Sequence, residues 1–208
     1  IVDKNWDSRY VTWKARPKGA PAGPSKLLLA LQTMEVPTTV GTRALSDGYL
    51  SSEETRAVFG DTVPYLSVTL SDSFADALGI TRVPTIGHAL ARLDEVRQTV
   101  PDVTIARSIV GPLYKFLDLR FEQNAVEVAA AFKTKQLILA DGTEGGTWAT
   151  TEDCCWTLPR ELRQFSPVAG LSLWWRDLQG FFCEKLGVAD VPSPESLVDA
   201  LVALAEAD

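Results

Sequence analysis

The residues that could do chemistry are few. His88 is the one histidine in 208 residues. Any Ser-His-Asp or Cys-His arrangement would therefore have to use it. Zinc and facial-triad iron sites, which need two or more imidazoles, are excluded. Its expected place is the first turn of a helix over 85–99. There the helix N-terminus disfavours an imidazolium, and the sequence offers no nucleophile beside it. A structural histidine is the simpler reading.

Three cysteines, Cys154, Cys155 and Cys183, form an odd set. Metal sites favour C-x2-C spacing, and adjacent residues in an extended chain point to opposite faces. The set reads as reduced thiols, one buried beside Trp156, in an intracellular protein, cytoplasmic or nuclear. Asp141-Gly142-Thr143-Glu144-Gly145-Gly146 brings two carboxylates into a glycine-rich loop. Asp141 and Glu144 could share a divalent ion, but the EF-hand spacing is absent. A strand-connecting turn is the plainer explanation. Gly19 to Lys26 has the wrong spacing and order for a phosphate loop, and its prolines remove backbone donors. No metal, cofactor or catalytic residue is assigned.

The remaining candidates are tryptophans. Trp174-Trp175 is expected on a helix, one ring filling the core and the other forming a contact surface. Trp6 and Trp13 alternate with Lys4, Arg9, Lys14 and Arg16 in a basic N-terminal arm suited to an acidic partner. Nucleic acid is disfavoured by a net charge of −7. No apolar run reaches the ~20 residues of a membrane helix. The chain opens at Ile1 without a signal-peptide layout and reads as a fragment or a processed product.

The elements that must position these residues are mostly helices. Arg16 to Ser25, with three prolines and two glycines, reads as a linker. Residues 26–32 fit strand or helix. Val36 to Tyr49 suggests a hairpin-like unit. Ser51 and Glu54 offer a capping box for a helix to Phe59, closed by Gly60. Helices follow at 71–78 and 85–99. A third begins at Asp102, with Ile105, Ile109, Leu113, Phe116 and Leu117 as its apolar set; Gly111-Pro112 predicts a kink or break in it. Residues 124–132 continue as helix. Gln136–Ala140 and Thr147–Thr150 read as two strands. Residues 158–166 suggest a short helix, Leu173–Leu186 a long one, and Ser196–Ala205 the last.

One phrase occurs twice. Phe74 to Thr85 and Phe182 to Ser193 each end a helix at Leu-Gly and restart at Pro-Thr or Pro-Ser. Gly79 and Gly187 should take the left-handed C′ conformation. Ile80 and Val188 should fold back onto Phe74 and Phe182. Thr85 and Ser193 should cap the next helix. The expected fold is α+β: a helix-dominated single domain over 34–208 with small β hairpins, preceded by an extension over 1–33.

The order of Val36-Pro37-Thr38-x-x-Gly41, Tyr49-Leu50, Phe59-Gly60-Asp61-x-Val63-Pro64-Tyr65-Leu66, Leu78-Gly79-Ile80-x-x-Val83-Pro84, Trp148, Trp156 and Phe181-Phe182-x3-Leu186-Gly187-Val188 resembles a known pattern. It resembles the region downstream of the ATPase fold in sacsin and NO VEIN-like proteins, large proteins with an Hsp90-type, histidine-kinase-like ATPase domain. The resemblance implies a non-catalytic scaffold or interaction module of a chaperone-like protein. Its partners would be other domains of a parent chain or another protein. It carries no ATP-binding residue onto this chain. The alternative class is a small enzyme or ligand-binding domain using loop 141–146.

Overall fold

The computed structural model describes residues 12–13, 23–61, 63–142 and 145–207. Helix occupies 53% of the structure, and the sheets are two-stranded, so the chain is a helix-dominated α+β protein. Among the described residues, no helix is long and apolar enough to cross a membrane. The chain divides into two compact units, Ile1–Pro84 and Thr85–Asp208. The division at Pro84 falls within the 34–208 span of the sequence reading.

In the first unit, β1 (Thr12–Trp13) pairs antiparallel with β2 (Gly23–Pro24). The ambiguous 26–32 segment is a helix, α1 (Lys26–Gln32), because the Ser25 hydroxyl accepts from the Leu28 amide at 3.0 Å. Next come β3 (Glu35–Thr38) and β4 (Gly41–Ala44), an antiparallel hairpin. α2 (Glu53–Phe59) has a capping box, but one residue later than expected: Ser52 with Thr55 replaces Ser51 with Glu54. Thr55 wins because its buried hydroxyl also donates to the Leu50 carbonyl at 2.8 Å, which ties the helix start to the preceding loop. α3 is Asp72–Leu78. Leu28, Leu45, Leu66, Phe74, Leu78 and Ile80 form the core. The Tyr49 amide donates to Pro64 O and its carbonyl accepts from the Leu66 amide, while the Leu50 amide donates to Thr81 O and the Thr81 amide to Gly48 O, which braces the core.

The glycines and the hydroxyl caps of the repeated phrase are as expected. Gly79 has φ +80° and Gly187 has φ +77°. At the first copy, the Gly79 amide donates to Asp76 O and the Ile80 amide to Ala75 O, a Schellman ending. At the second, the Val188 amide donates to Phe182 O, one residue further back. That extra residue comes from a π-helical turn, Gly180–Lys185. Thr85 and Ser193 accept from the amides of His88 and Ser196, as N-caps do.

In the second unit, α4 (Ile86–Thr99), α5 (Val103–Leu119) and α6 (Phe121–Thr134) pack on one another. α5 runs unbroken through Gly111-Pro112, contrary to expectation. Pro112 lies on the exposed face, where water can satisfy the carbonyl its missing N–H would have bonded. The buried stripe of α5 is Ala106, Val110, Leu113, Tyr114 and Leu117, together with Phe116; Ile105 is 53% exposed. α6 departs from helical dihedrals at Asn124, whose side-chain amide donates to Arg120 O at 3.0 Å.

β5 (Ile138–Ala140) and β6 (Thr147–Ala149) form an antiparallel pair. β7 (Cys154–Cys155) and β8 (Ala169–Gly170) pair in parallel. The expected helix over 158–166 reduces to one 3-10 turn, Arg160–Leu162. The expected helix over 173–186 is also corrected: a turn leads to a 3-10 segment, Arg176–Leu178, and then to the π turn. The apolar spacing is real, since Leu178, Phe181, Phe182 and Leu186 are all buried. Two adjacent phenylalanines must both enter the core, and the wider turn lets them do so with ring centroids 5.2 Å apart. α7 (Pro194–Ala207) ends the described chain.

Candidate functional site

The second unit's strand β5 is held by side chains from other elements. The Tyr114 hydroxyl donates to Leu137 O at 2.8 Å and accepts from the Leu139 amide at 2.9 Å. The Trp175 indole N–H donates to Leu139 O at 2.7 Å. A two-stranded sheet leaves one backbone edge of each strand unpaired, and buried edge groups need partners. Trp175 is therefore withdrawn from the surface, at 6% exposure. It meets Tyr114 edge to face at 5.1 Å between ring centroids.

Trp174 is half-buried, in a turn and not on a helix as expected. The Arg107 guanidinium lies 5.5 Å from its ring centroid. A β-carbon at Gly146 would come within 2.9 Å of the Trp174 ring, so the end of the acidic loop runs close against it. Trp13 lies in β1; Trp6 lies outside the described residues, as do Thr143 and Glu144 of the loop. The divalent-ion site suggested for Asp141 and Glu144 thus lies partly outside them.

Asp141 itself is buried and is paired in a way the sequence reading missed. Its backbone exchanges hydrogen bonds with Gly170, and its Oδ2 lies 2.7 Å from Arg163 Nη1. The Asp141 side chain is 10% exposed and that of Arg163 is 27% exposed. Asp141 Oδ2 and Arg163 Nε are both buried and neither has a hydrogen-bond partner of suitable geometry. Beside them opens a cleft of about 320 Å³, with Gln136, Thr147, Trp148 and Ser166 on its walls. No local signal in the sequence could have found it, since Arg163 is one of two arginines in the stretch expected as helix over 158–166.

The other reactive side chains have structural surroundings. Thr85 and His88 form a reciprocal capping box, with His88 Nδ1 accepting from the Thr85 amide at 3.3 Å. Cys154 and Cys155 are both buried, and Cys183 is partly so. Burial pushes the Cys154 thiol up to about 12, with the neighbouring Cys155 adding to it. Burial likewise raises Cys155 and Cys183 to about 11, and the Asp190 side chain contributes at Cys183. Such thiols are poor nucleophiles near neutrality. Among the described residues, no three His, Cys, Asp or Glu side chains converge as metal ligands.

α7 carries a contiguous set of exposed apolar residues. It packs on the Arg160–Leu162 turn with Ala200 fully buried and Leu197 and Leu204 half-buried. Val198, Leu201, Val202 and Ala205 remain exposed at i, i+3, i+4 and i+7. That spacing makes one continuous stripe. Glu195, Asp199 and Glu206 run along its edge, and the helix contains no basic residue.

No family model, no curated protein and no solved structure matches this chain.

Proposed function

We propose that this chain is a non-catalytic protein-interaction module, and that its contact surface is the outer face of α7. The observation carrying this reading is the stripe of Val198, Leu201 and Val202, 58%, 54% and 52% exposed. Scattered exposed aliphatics are normal, but a helical stripe of them rimmed by charge is what a docking helix presents. The acidic edge selects the partner: an amphipathic helix with Lys or Arg flanking its apolar face. Self-pairing is disfavoured, because two copies of α7 would oppose carboxylate to carboxylate in a chain of net charge −7. The resemblance to sacsin and NO VEIN-like proteins supports the same reading, as an accessory module of a larger intracellular, chaperone-like protein.

The test is an NMR titration with an amphipathic Leu/Lys helical peptide and its Leu/Glu counterpart. The methyl signals of Val198, Leu201 and Val202 should shift saturably with the first and not with the second. Leu201→Glu should abolish the response without unfolding the chain, since Leu201 is exposed. A concentration-dependent dimer lost in Leu201→Glu, or equal response to both peptides, would refute the reading.

A further inference from the structure

We propose that the cleft beside Asp141 and Arg163 binds a neutral polyhydroxyl ligand of monosaccharide size. Its volume of about 320 Å³ sits at the small end of ligand pockets, roughly 300–1,000 Å³. The Asp141–Arg163 ion pair cancels its own charge at 2.7 Å. An anion at Arg163 would meet Asp141 directly and Asp153 on the cleft wall, while a cation at Asp141 would meet Arg163.

The unpartnered atoms point the same way. Arg163 Nε is a buried donor without an acceptor, and Asp141 Oδ2, held by Arg163 Nη1 at 2.7 Å in a geometry outside that of a hydrogen bond, keeps a lone pair to offer. An anion could serve only the first and a cation only the second. A hydroxyl group donates and accepts, so a neutral polyhydroxyl compound can serve both. Buried orphans of this kind call for a partner. Both atoms lie under the wall, and Arg163, the more exposed of the pair, is the side chain that yields to admit a hydroxyl. Gln136 adds a planar amide that can bridge neighbouring hydroxyls, and Trp148 adds an aromatic ring against which the C–H face of a sugar ring can lie.

The experiment is an NMR titration of the whole chain that follows the Trp148 indole N–H and the Asp141 and Ala169 amides. The probes are glucose, galactose, mannose, N-acetylglucosamine and myo-inositol at up to tens of millimolar. Phosphate and methylguanidinium serve as charged controls. Saturable shifts at Trp148 with at least one polyhydroxyl compound, and with neither control, are expected. Gln136→Ala, at an exposed position that leaves the fold intact, should weaken that binding about tenfold, the loss of one good hydrogen bond. No shift with any of the five, saturable binding of either control, or binding unchanged by Gln136→Ala overturns the proposal.

Discussion

At the scale of single residues, the two glycines that end helices carry the sharpest energetic consequence. A β-carbon on Gly79 or Gly187 would meet nothing within 4 Å. Alanine at either position therefore brings no clash, and its cost is the backbone strain of φ +80° or +77° alone. That cost is about 1–2 kcal/mol. Urea melts of Gly79→Ala and Gly187→Ala should show lower midpoints with unchanged slopes, equivalent to a free-energy loss of that size. A loss below about 0.5 kcal/mol would mean the helix end rearranges to a right-handed conformation. These positions were legible in the sequence because everything they depend on lies within six residues. The hydroxyl caps at Thr85 and Ser193 were legible for the same reason. Where two local solutions compete, as Ser51–Glu54 and Ser52–Thr55 do, the choice was made by the Leu50 carbonyl, which no capping pattern includes.

At the scale of elements, what could not be read is what spans distance. Tyr114 sits 23 residues from Leu137 and 25 from Leu139, yet its one hydroxyl satisfies both. Trp175 reaches Leu139 across 36 residues. The periodicity over 173–186 placed Leu178, Phe181, Phe182 and Leu186 in the core correctly, but it chose Trp174 over Trp175 for the buried stripe and had the backbone wrong. Burial reports which side chains face the core, while the backbone followed the need to bring the Trp175 indole to β5 and two adjacent phenylalanines inside. The cleft escaped for a related reason: Asp141 was visible in its loop, but Arg163 pairs with it from 22 positions along the chain. Tyr114→Phe measures the distance-spanning part directly. It keeps the ring and leaves the Leu139 amide of β5 and the Leu137 carbonyl just before it unpaired, at about 1–3 kcal/mol for each such group. A stability loss of roughly 2–6 kcal/mol is expected, with hydrogen-exchange protection of the Leu139 amide falling more than that of α4. An equal loss of protection throughout the second unit would show that the bond acts on the whole core and not on the strand.

At the scale of the molecule, all three cysteines lie in the second unit, and none lies in the first. Their burial couples that unit's stability to alkaline pH. The free thiol value is about 8.5, while Cys154 in the folded chain is raised to about 12, and Cys155 and Cys183 to about 11. Above about 8.5 the unfolded chain gives up thiol protons that the folded chain keeps. The unfolded state then binds fewer protons, so the free energy of unfolding falls as pH rises. The effect is absent below the unfolded value and is complete only once pH has passed the folded ones. For a single buried thiol such as Cys154 the slope within that window is about 1.4 kcal/mol per pH unit. Denaturant melts at intervals from neutrality to pH ~10 should show a plateau and then a decline beginning near the free thiol value. Cys154→Ala removes one titrating group, and its melts should decline less steeply by about that slope. Tyrosines titrate only at the upper end of this range, so the comparison between the two chains isolates the thiol. Parallel curves for the two chains would mean that Cys154 ionises as readily folded as unfolded, and that β7 is not the closed, dry strand its burial indicates.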